Sequence, residues 1–201
     1  MSEQYFEAHP VSAHQLREIK LSFLGTDFVF ETDAGVFSRD GLDDGTELLL
    51  KEALPHLSGR VLDLGCGWGA VGVISKKIKP AADLVMTDIN TRAAELAKRN
   101  LRRNGVQAEV VSGDGFEAVE GIFDWILLNP PIRAGKQLVY SLYQDSAQRL
   151  RDSGTLAIVI RKQQGALSTK DYLQTLFEEV RLINRKKGYH IYFCGRTKHE
   201  V

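Results

Sequence analysis

Strand-like and helix-like segments alternate along most of this sequence, and this alternation restricts its fold more than any other feature. Short apolar runs typical of strands cover residues 60–64, 83–87, 107–111, 124–128 and 155–161. Segments with apolar residues at helical spacing stand between these runs. Strands that alternate with helices predict a mainly parallel sheet with helices on both faces. The predicted fold class is therefore α/β, a doubly wound, Rossmann-like sheet.

The two ends of the chain add antiparallel elements to this plan. Residues 21–32 alternate in polarity on either side of Gly25-Thr26, which predicts a small amino-terminal β-hairpin extension. Residues 179–186 and 189–194 flank the turn Lys187-Gly188, which predicts a closing hairpin. We therefore expect a sheet of about seven strands in which the last strand is antiparallel.

Two finer predictions concern helices in the second half of the chain. The apolar spacing predicts a helix over residues 138–152 that ends near Gly154. Ser168 followed by Asp171 resembles a capping box, which predicts the start of a helix that continues to Glu178.

Charge is balanced over the chain, with 26 Lys and Arg residues and 26 Asp and Glu residues in 201. A neutral chain argues against a protein that coats nucleic acid by bulk electrostatics, although it leaves room for a local basic patch. The basic residues of the predicted helix over 91–104 are expected to solvate its outer face. On that helix Glu95 is placed to pair with Arg99 one turn later.

Cysteine and histidine usage predicts no metal site. Neither Cys66 nor Cys194 belongs to a C-x-x-C pair, and the five histidines lack metal-ligand spacing. So few cysteines are typical of a protein in a reducing cytoplasm. No apolar run approaches the roughly 20 residues that span a bilayer, and the first residues do not resemble a signal peptide. We therefore expect a cytoplasmic protein with no membrane partner.

A glycine-rich loop, Asp63-Leu64-Gly65-Cys66-Gly67-Trp68-Gly69, follows a predicted strand and opens a predicted helix. Glycines at such a turn let the chain reverse sharply and let a ligand approach the backbone closely. Residues 67–72 also fit G-x-G-x-x-G, the fingerprint of dinucleotide-binding loops, which is a weak signal by itself. The glycines alone therefore leave open whether a dinucleotide or another adenosine-containing cofactor binds there.

Asp63 favours a cationic cofactor at this loop. A dinucleotide presents a pyrophosphate dianion to the helix start, and a carboxylate two residues before Gly65 repels it. S-adenosylmethionine instead carries an ammonium and a sulfonium, which a carboxylate attracts strongly in a partly dry cleft. We therefore predict S-adenosylmethionine as the cofactor, with a nicotinamide-dependent oxidoreductase as the competing hypothesis.

Two further aspartates stand at the ends of the next predicted strands. The carboxyl ends of parallel strands form the ligand-binding edge of such a sheet. There Asp88 is expected to accept hydrogen bonds from the ribose hydroxyls. Asp114 is expected to accept one from the adenine amine, with Phe116 packed on the ring. The predicted cofactor-binding set is Asp63, Gly65, Cys66, Gly67, Gly69, Asp88, Ile89, Asp114, Gly115, Phe116 and Asn129.

The tetrad Asn129-Pro130-Pro131-Ile132 follows an apolar strand and predicts the site of chemistry. An amine conjugated to a nucleobase or an amide is a poor nucleophile until its lone pair is turned toward the electrophile. Two acceptors that hold its two hydrogens achieve this and stabilise the positive charge that develops on nitrogen. Asn129 offers a side-chain oxygen and Pro130 a backbone carbonyl, on a loop that the prolines make stiff.

Together these motifs resemble those of class I methyltransferases that use S-adenosylmethionine to modify exocyclic or amide nitrogens. The segment 35–43 with Gly45-Thr46 resembles the one that precedes the catalytic core in bacterial small-subunit ribosomal RNA guanine-N2 methyltransferases. The segments 129–136 and 186–189 are similar to those of their single-domain relatives. The resemblance covers about residues 5 to 195 and implies an extension over 1–44 and a single compact catalytic domain over 45–201.

This resemblance implies methylation of a ribosomal RNA amine, most specifically N2 of guanine in 16S rRNA, with rRNA or the small subunit as partner. Phe37, Arg133 and Lys136 are the expected substrate-binding residues. Ile132 stands where adenine-N6 and glutamine-N5 methyltransferases usually carry an aromatic residue, which weakens those alternatives. A protein glutamine, a small-molecule acceptor and a catalytically silent adaptor stay open as alternatives. These residues do not set the target nucleotide or the oligomeric state.

Overall fold

The alternation of strands and helices is present in the computed structural model, which describes residues 12–197. The strands are β1 Arg17–Phe23, β2 Thr26–Thr32, β3 Arg60–Leu64, β4 Asp83–Asp88, β5 Glu109–Ser112, β6 Phe123–Leu128, β7 Leu150–Arg161, β8 Phe177–Lys186 and β9 Tyr189–Thr197. The α-helices are α1 Asp44–Ala53, α2 Ala70–Ile78, α3 Thr91–Arg103, α4 Lys136–Gln148 and α5 Ala166–Leu176. Short 3-10 helices cover Leu54–His56, Ile132–Ala134 and Lys162–Gln164. Within residues 12–197, none of the helices combines the length and the hydrophobicity that crossing a bilayer requires.

The strands form two sheets. One has seven strands in the order β5-β4-β3-β6-β7-β9-β8, and the other pairs β1 with β2. β4 runs parallel to β5 and β6 runs parallel to β7, whereas β9 is antiparallel to both of its neighbours. The predicted Rossmann-like α/β class, the seven strands, the antiparallel last strand and the small amino-terminal β extension are thus confirmed.

The chain forms two compact units, each described here by itself. The first contains residues up to 43 together with 63–120, and the second contains residues 44–62 together with 121 onward. The division into an extension over 1–44 and a catalytic domain over 45–201 stays a prediction, and its residues 1–11 and 198–201 lie outside the described residues.

In the first unit, Asn100 of α3 and Asn104 at the C-cap of that helix hold the β1–β2 hairpin. The fully buried side chain of Asn100 accepts a hydrogen bond from Glu31 N (2.7 Å) and donates one to Glu31 O (2.9 Å). One turn later Asn104 bonds Val29 N (3.1 Å) and Val29 O (2.8 Å) in the same way. The two amides therefore replace a neighbouring strand along the edge of β2. This matters because a two-stranded hairpin alone is only marginally stable.

In the second unit, the prediction of a helix over residues 138–152 is wrong at the carboxyl end of the helix. α4 ends at Gln148, and β7 begins at Leu150. Leu150 pairs with Phe123, whereas Thr155 pairs with Trp125, so the four residues between them bulge out of the ladder. Pairing with β6 thus overrides the local helical pattern.

The predicted capping box at Ser168 is also wrong. α5 begins at Ala166, after Gly165 in a left-handed conformation (φ +92°). The Ser168 hydroxyl lies inside the first turn and donates to Gly165 O at 3.0 Å. The N-cap residue is Gly165, which has no side chain, so Ser168 does not cap the helix. The helix ends at Leu176, and β8 follows directly.

Candidate active site

The glycine loop of the first unit is folded over the end of β4. The amides of Gly65 and Cys66 both donate to the Thr87 carbonyl at 2.9 Å. Gly65, Gly67 and Gly69 have φ of +71°, +55° and +91°, a backbone conformation that glycine adopts without strain. A Cβ added at Gly65 or Gly67 would meet no atom within 4 Å. The loop therefore presents open space beside its backbone, where a ligand can approach closely.

The Asp88 carboxylate fixes the shape of this loop. Its Oδ2 accepts from Gly67 N at 2.7 Å, and its Oδ1 accepts from Asn90 N at 2.8 Å. Burial raises the pKa of Asp88 to about 6, against the effect of these two hydrogen bonds. Each oxygen keeps a second lone pair, so the half-buried carboxylate can still accept from a ribose hydroxyl.

Asp63 lies deeper, with 3% of its surface exposed. Its Oδ2 accepts from Gly72 N in the first turn of α2 at 2.9 Å. Burial, together with a smaller effect of the negative charge of Asp88, raises the pKa of Asp63 to about 7. Among the residues described, no Lys or Arg pairs with either carboxylate. Two neighbouring carboxylates without a cation fit a ligand that carries an ammonium and a sulfonium, and they disfavour a pyrophosphate.

The remaining predicted cofactor residues of the first unit lie on adjacent loops. Gly113 N donates to the Asp88 carbonyl at 3.1 Å, which brings the loop after β5 to the end of β4. On that loop Asp114 is exposed and Phe116 is buried, with Gly115 between them. Ile89 is half-buried beside Asp88. The Cys66 thiol is free and buried, and burial raises its pKa, so its backbone rather than its sulfur is placed for function.

The segment over 33–43, which contains Phe37, is tied to the glycine loop. The indole Nε1 of Trp68 donates to the Phe37 carbonyl at 3.0 Å. The Asn90 side chain, which caps α3, donates to the Gly35 carbonyl at 2.9 Å. The Phe37 side chain is 42% exposed.

The tetrad lies in the second unit, directly after β6. The Asn129 Nδ2 donates to the hydroxyl oxygen of Thr46, in the first turn of α1, at 3.0 Å. In this orientation Nδ2 is anchored to the hydroxyl, and Oδ1 is the acceptor end of the amide. Sequence reasoning missed the part played by Thr46. Its only signal was its position at the end of the segment that resembles the guanine-N2 enzymes.

The residues after Asn129 form a tight turn. The Pro130 carbonyl accepts from Ile132 N at 2.9 Å and keeps one lone pair for a further donor. Pro131 precedes the 3-10 helix that contains Ile132 and the exposed Arg133. Lys136 is also exposed and begins α4, with its ammonium 5.0 Å from the centre of the Tyr140 ring.

Comparison with known proteins identifies the family. The model of the methyltransferase small domain matches residues 27–193. The uncharacterized protein YbxB of Bacillus subtilis (strain 168) is 38% identical over 195 residues, which are 95% of this chain and 97% of that protein. The ribosomal RNA small subunit methyltransferase C of Shewanella loihica is 37% identical over 188 residues, 87% of this chain and 54% of that protein. The chain thus spans about half the length of that relative.

One solved structure has the same fold over most of the chain. It is the T. thermophilus 16S rRNA N2 methyltransferase RsmC in complex with AdoMet and guanosine, with a TM-score of 0.83 and 24% identity. The match covers 93% of this chain and 52% of RsmC. From the family match, the close relatives and this fold, the chain belongs to the methyltransferase small domain family and is a class I S-adenosylmethionine-dependent methyltransferase.

Proposed function

We propose that this enzyme methylates an exocyclic amine of ribosomal RNA, and specifically N2 of guanine in the 16S rRNA of the small subunit. The observation that carries the proposal is the Asn129 amide, held by Thr46 so that Oδ1 serves as an acceptor beside a stiff Pro-Pro turn. The similarity to the small subunit methyltransferase C of Shewanella loihica supports RNA as the acceptor.

Asn129 Oδ1 and the Pro130 carbonyl would accept the two hydrogens of the planar amine. This arrangement turns the nitrogen lone pair out of conjugation with the base and stabilises the positive charge that develops on nitrogen. S-adenosylmethionine, when bound, supplies a methyl group on a positively charged sulfur. The nitrogen lone pair would take up that methyl group while the C–S electron pair stays on sulfur, and the surplus proton held by Asn129 or the Pro130 carbonyl would then leave to water. Neither residue has to act as a general base.

The first unit would hold the cofactor. Asp63 and the glycine loop, Gly65, Cys66, Gly67 and Gly69, would bind the methionine end. Asp88 would accept from the ribose hydroxyls, with Ile89 beside them. Asp114 and Gly115 would bind the adenine amine, and Phe116 would pack on the ring.

The acceptor would contact Phe37, Arg133 and Lys136. Ile132 leaves the tetrad without the aromatic side chain on which other amino-methyltransferases stack their target. Both cysteines are free thiols, which supports a reducing cytoplasm as the place of action.

The test is transfer of a labelled methyl group to naked 16S rRNA and to small subunits from a strain that lacks this protein. We expect label on N2 of a guanine in one of these substrates, located by mapping the modified base. Asn129→Ala should abolish transfer while S-adenosylhomocysteine binds with nearly unchanged affinity. Label on a protein glutamine, or equal transfer by Asn129→Ala, would contradict the proposal.

A further inference from the structure

The balanced charge of the chain conceals a separation between its two units. The second unit contains 15 Lys and Arg residues and 10 Asp and Glu residues, a formal charge of +5. The first unit contains 11 Lys and Arg residues and 16 Asp and Glu residues, a formal charge of −5. We therefore expect a basic surface that could bind a polyanion to lie on the second unit, which also carries the tetrad.

Lys136 is one exposed cation of this unit that the structure holds in place. Its ammonium lies 5.0 Å from the centre of the Tyr140 ring. That ring is fixed in turn, because it stacks on Tyr172 with centres 3.8 Å apart and donates its hydroxyl to Ser168 O at 3.1 Å. The last contact also ties α4 to the first turn of α5.

Arg161 is held in a similar way at the end of β7. Its guanidinium carbon lies 4.9 Å above the centre of the Tyr189 ring, and the two residues are partners in the β7–β9 ladder. Lys162 follows directly, with its amide donating to Gly188 O at 2.8 Å. β7 runs parallel to β6, with Ile158 opposite Leu128, so Arg161 and Asn129 lie at the same end of neighbouring strands.

An aromatic ring orients a cation without neutralising it. A ring attracts the positive charge through its π face, and the N–H donors that point away from the ring stay available. In the described part of the chain, no carboxylate pairs with Lys136, Arg161 or Lys162. The cations on α3 differ, because Arg99 and Arg103 form ion pairs with carboxylates of the β1–β2 hairpin.

The charges around His190 agree with a positive local potential. His190 is buried between these elements, and burial lowers its pKa, with further lowering by the positive charges of Arg185 and Lys162. Asp171 on α5 is a nearby acidic group, and its charge acts on Tyr192. Both charged groups that act on His190, Arg185 and Lys162, are thus cations.

We propose that Lys136, Arg161 and Lys162, backed by Tyr140 and Tyr189, form a surface that binds the phosphates of the RNA strand that carries the target base. We call these five residues the tyrosine-backed surface. The inference rests on the proposed RNA acceptor. The inference adds which residues hold the RNA strand. Because the cations of these residues are already oriented before binding, little side-chain entropy is lost when the RNA binds.

The test compares Lys136→Ala and Arg161→Ala with the control Arg151→Ala. Arg151 lies at the opposite end of β7 and pairs with Asp124 at 3.1 Å. Binding of a fluorescein-labelled single-stranded oligoribonucleotide is measured by anisotropy from about 50 to 200 mM salt. We expect both surface variants to bind several-fold more weakly at low salt, and each to lower the salt slope by about 0.7. Arg151→Ala should keep the slope of the unmodified protein.

A second pair of variants tests the role of the ring. Tyr189→Phe keeps an aromatic face under Arg161 and should bind RNA like the unmodified protein, whereas Tyr189→Leu should lose affinity. All variants should bind S-adenosylhomocysteine equally in calorimetry, which shows that they are folded.

The outcomes separate the two proposals. If the unmodified protein methylates rRNA while Lys136→Ala and Arg161→Ala keep its RNA affinity and salt slope, the tyrosine-backed surface is refuted and the proposed function stands. If the unmodified protein neither binds nor methylates RNA, the RNA acceptor fails, and the surface fails with it.

Discussion

Asn129 and Thr46 illustrate how much depends on single atoms in this protein. An asparagine amide has a donor end and an acceptor end, and only the oxygen can hold a hydrogen of the acceptor amine. The Thr46 hydroxyl accepts from Nδ2 at 3.0 Å and so anchors the side chain, with Oδ1 as the other end of the amide. Thr46 is therefore a positioning residue, since in the proposed mechanism it acts only through Asn129.

Thr46→Val, which removes the hydroxyl at nearly constant volume, should lower kcat by roughly ten- to a hundredfold, because the amide is no longer oriented. Cofactor affinity should stay within about twofold, since misplacing the acceptor does not alter cofactor binding. Thr46→Ser keeps the hydroxyl and should restore most of kcat. A Thr46→Val enzyme with unchanged kcat, or a Thr46→Ser enzyme as slow as Thr46→Val, would contradict the positioning role.

The raised pKa values of Asp63 and Asp88 predict a pH dependence of cofactor binding. The ionised carboxylates attract the cationic cofactor, so affinity should fall as pH drops through about 7 and then about 6. The stability of the unliganded protein should change with pH in the opposite direction. A raised carboxyl pKa contributes stability that is complete below the ordinary value of 3.8 and is lost as pH rises through 6 and 7.

Thermal unfolding with and without S-adenosylmethionine, at about pH 5.5 and about pH 8, measures both trends. The increase in Tm on binding should be larger at the higher pH. The Asp63→Asn variant has no carboxylate at this position, so it should bind S-adenosylmethionine weakly, and its affinity should change less with pH. A larger increase at the lower pH would contradict the carboxylate–cation pairing.

At the scale of elements, the glycine loop can be tested with a matched pair of glycines. Gly65 and Gly105 are both exposed, have φ of +71° and +68°, and have no atom within 4 Å of an added Cβ. Alanine at either position should cost about 1–2 kcal/mol in backbone strain. Only Gly65→Ala places a methyl group beside the proposed cofactor.

We therefore expect both alanine variants to unfold at a Tm lowered by about 2–8 °C. Calorimetry should then show that only Gly65→Ala loses affinity for S-adenosylhomocysteine, while Gly105→Ala keeps it. Equal affinity in both variants would mean that the space beside Gly65 is not part of the cofactor site.

The attachment of the hairpin to α3 makes a second prediction at this scale. Asn100→Ala would leave the backbone groups of Glu31 and the Trp68 carbonyl, which Asn100 bonds at 2.7 Å, without these partners. Each buried unpaired group costs about 1–3 kcal/mol, so denaturant unfolding should show a loss of at least about 3 kcal/mol. Asn104→Ala, at the slightly more exposed C-cap of α3, should cost less. A larger loss for Asn104→Ala would contradict this ranking.

For the whole molecule, the separation of charge between the two units predicts how the reaction responds to salt. If the second unit binds phosphates, kcat/KM for rRNA should fall steeply with ionic strength, because each phosphate contact releases a counterion. The affinity for S-adenosylhomocysteine would depend mainly on the short-range contacts proposed for the first unit, so it should change little. Steady-state kinetics and calorimetry over the same salt series would check this, and a flat kcat/KM would contradict it.

Much of the fold could be predicted because it depends on local patterns. The strands β3 and β4 and the helices α2 and α3 follow from apolar spacing and from glycines at their ends. The prediction failed where a distant partner decides the structure. Residues 150–154 look helical by themselves, but pairing with β6 draws them into β7. Likewise Arg99, expected to pair with Glu95, binds Glu31 at 2.9 Å, because the hairpin brings a better-placed carboxylate.

The sequence by itself determined the α/β class, the glycine loop with its aspartate, and the tetrad, since each requires particular residue types at a fixed spacing along the chain. Only the tertiary structure decided that Asp88 shapes the loop through Gly67, that Thr46 orients Asn129, and that Lys136 and Arg161 lie over tyrosine rings. These contacts join residues far apart in the chain. Their distances and orientations follow from packing, which no local pattern encodes.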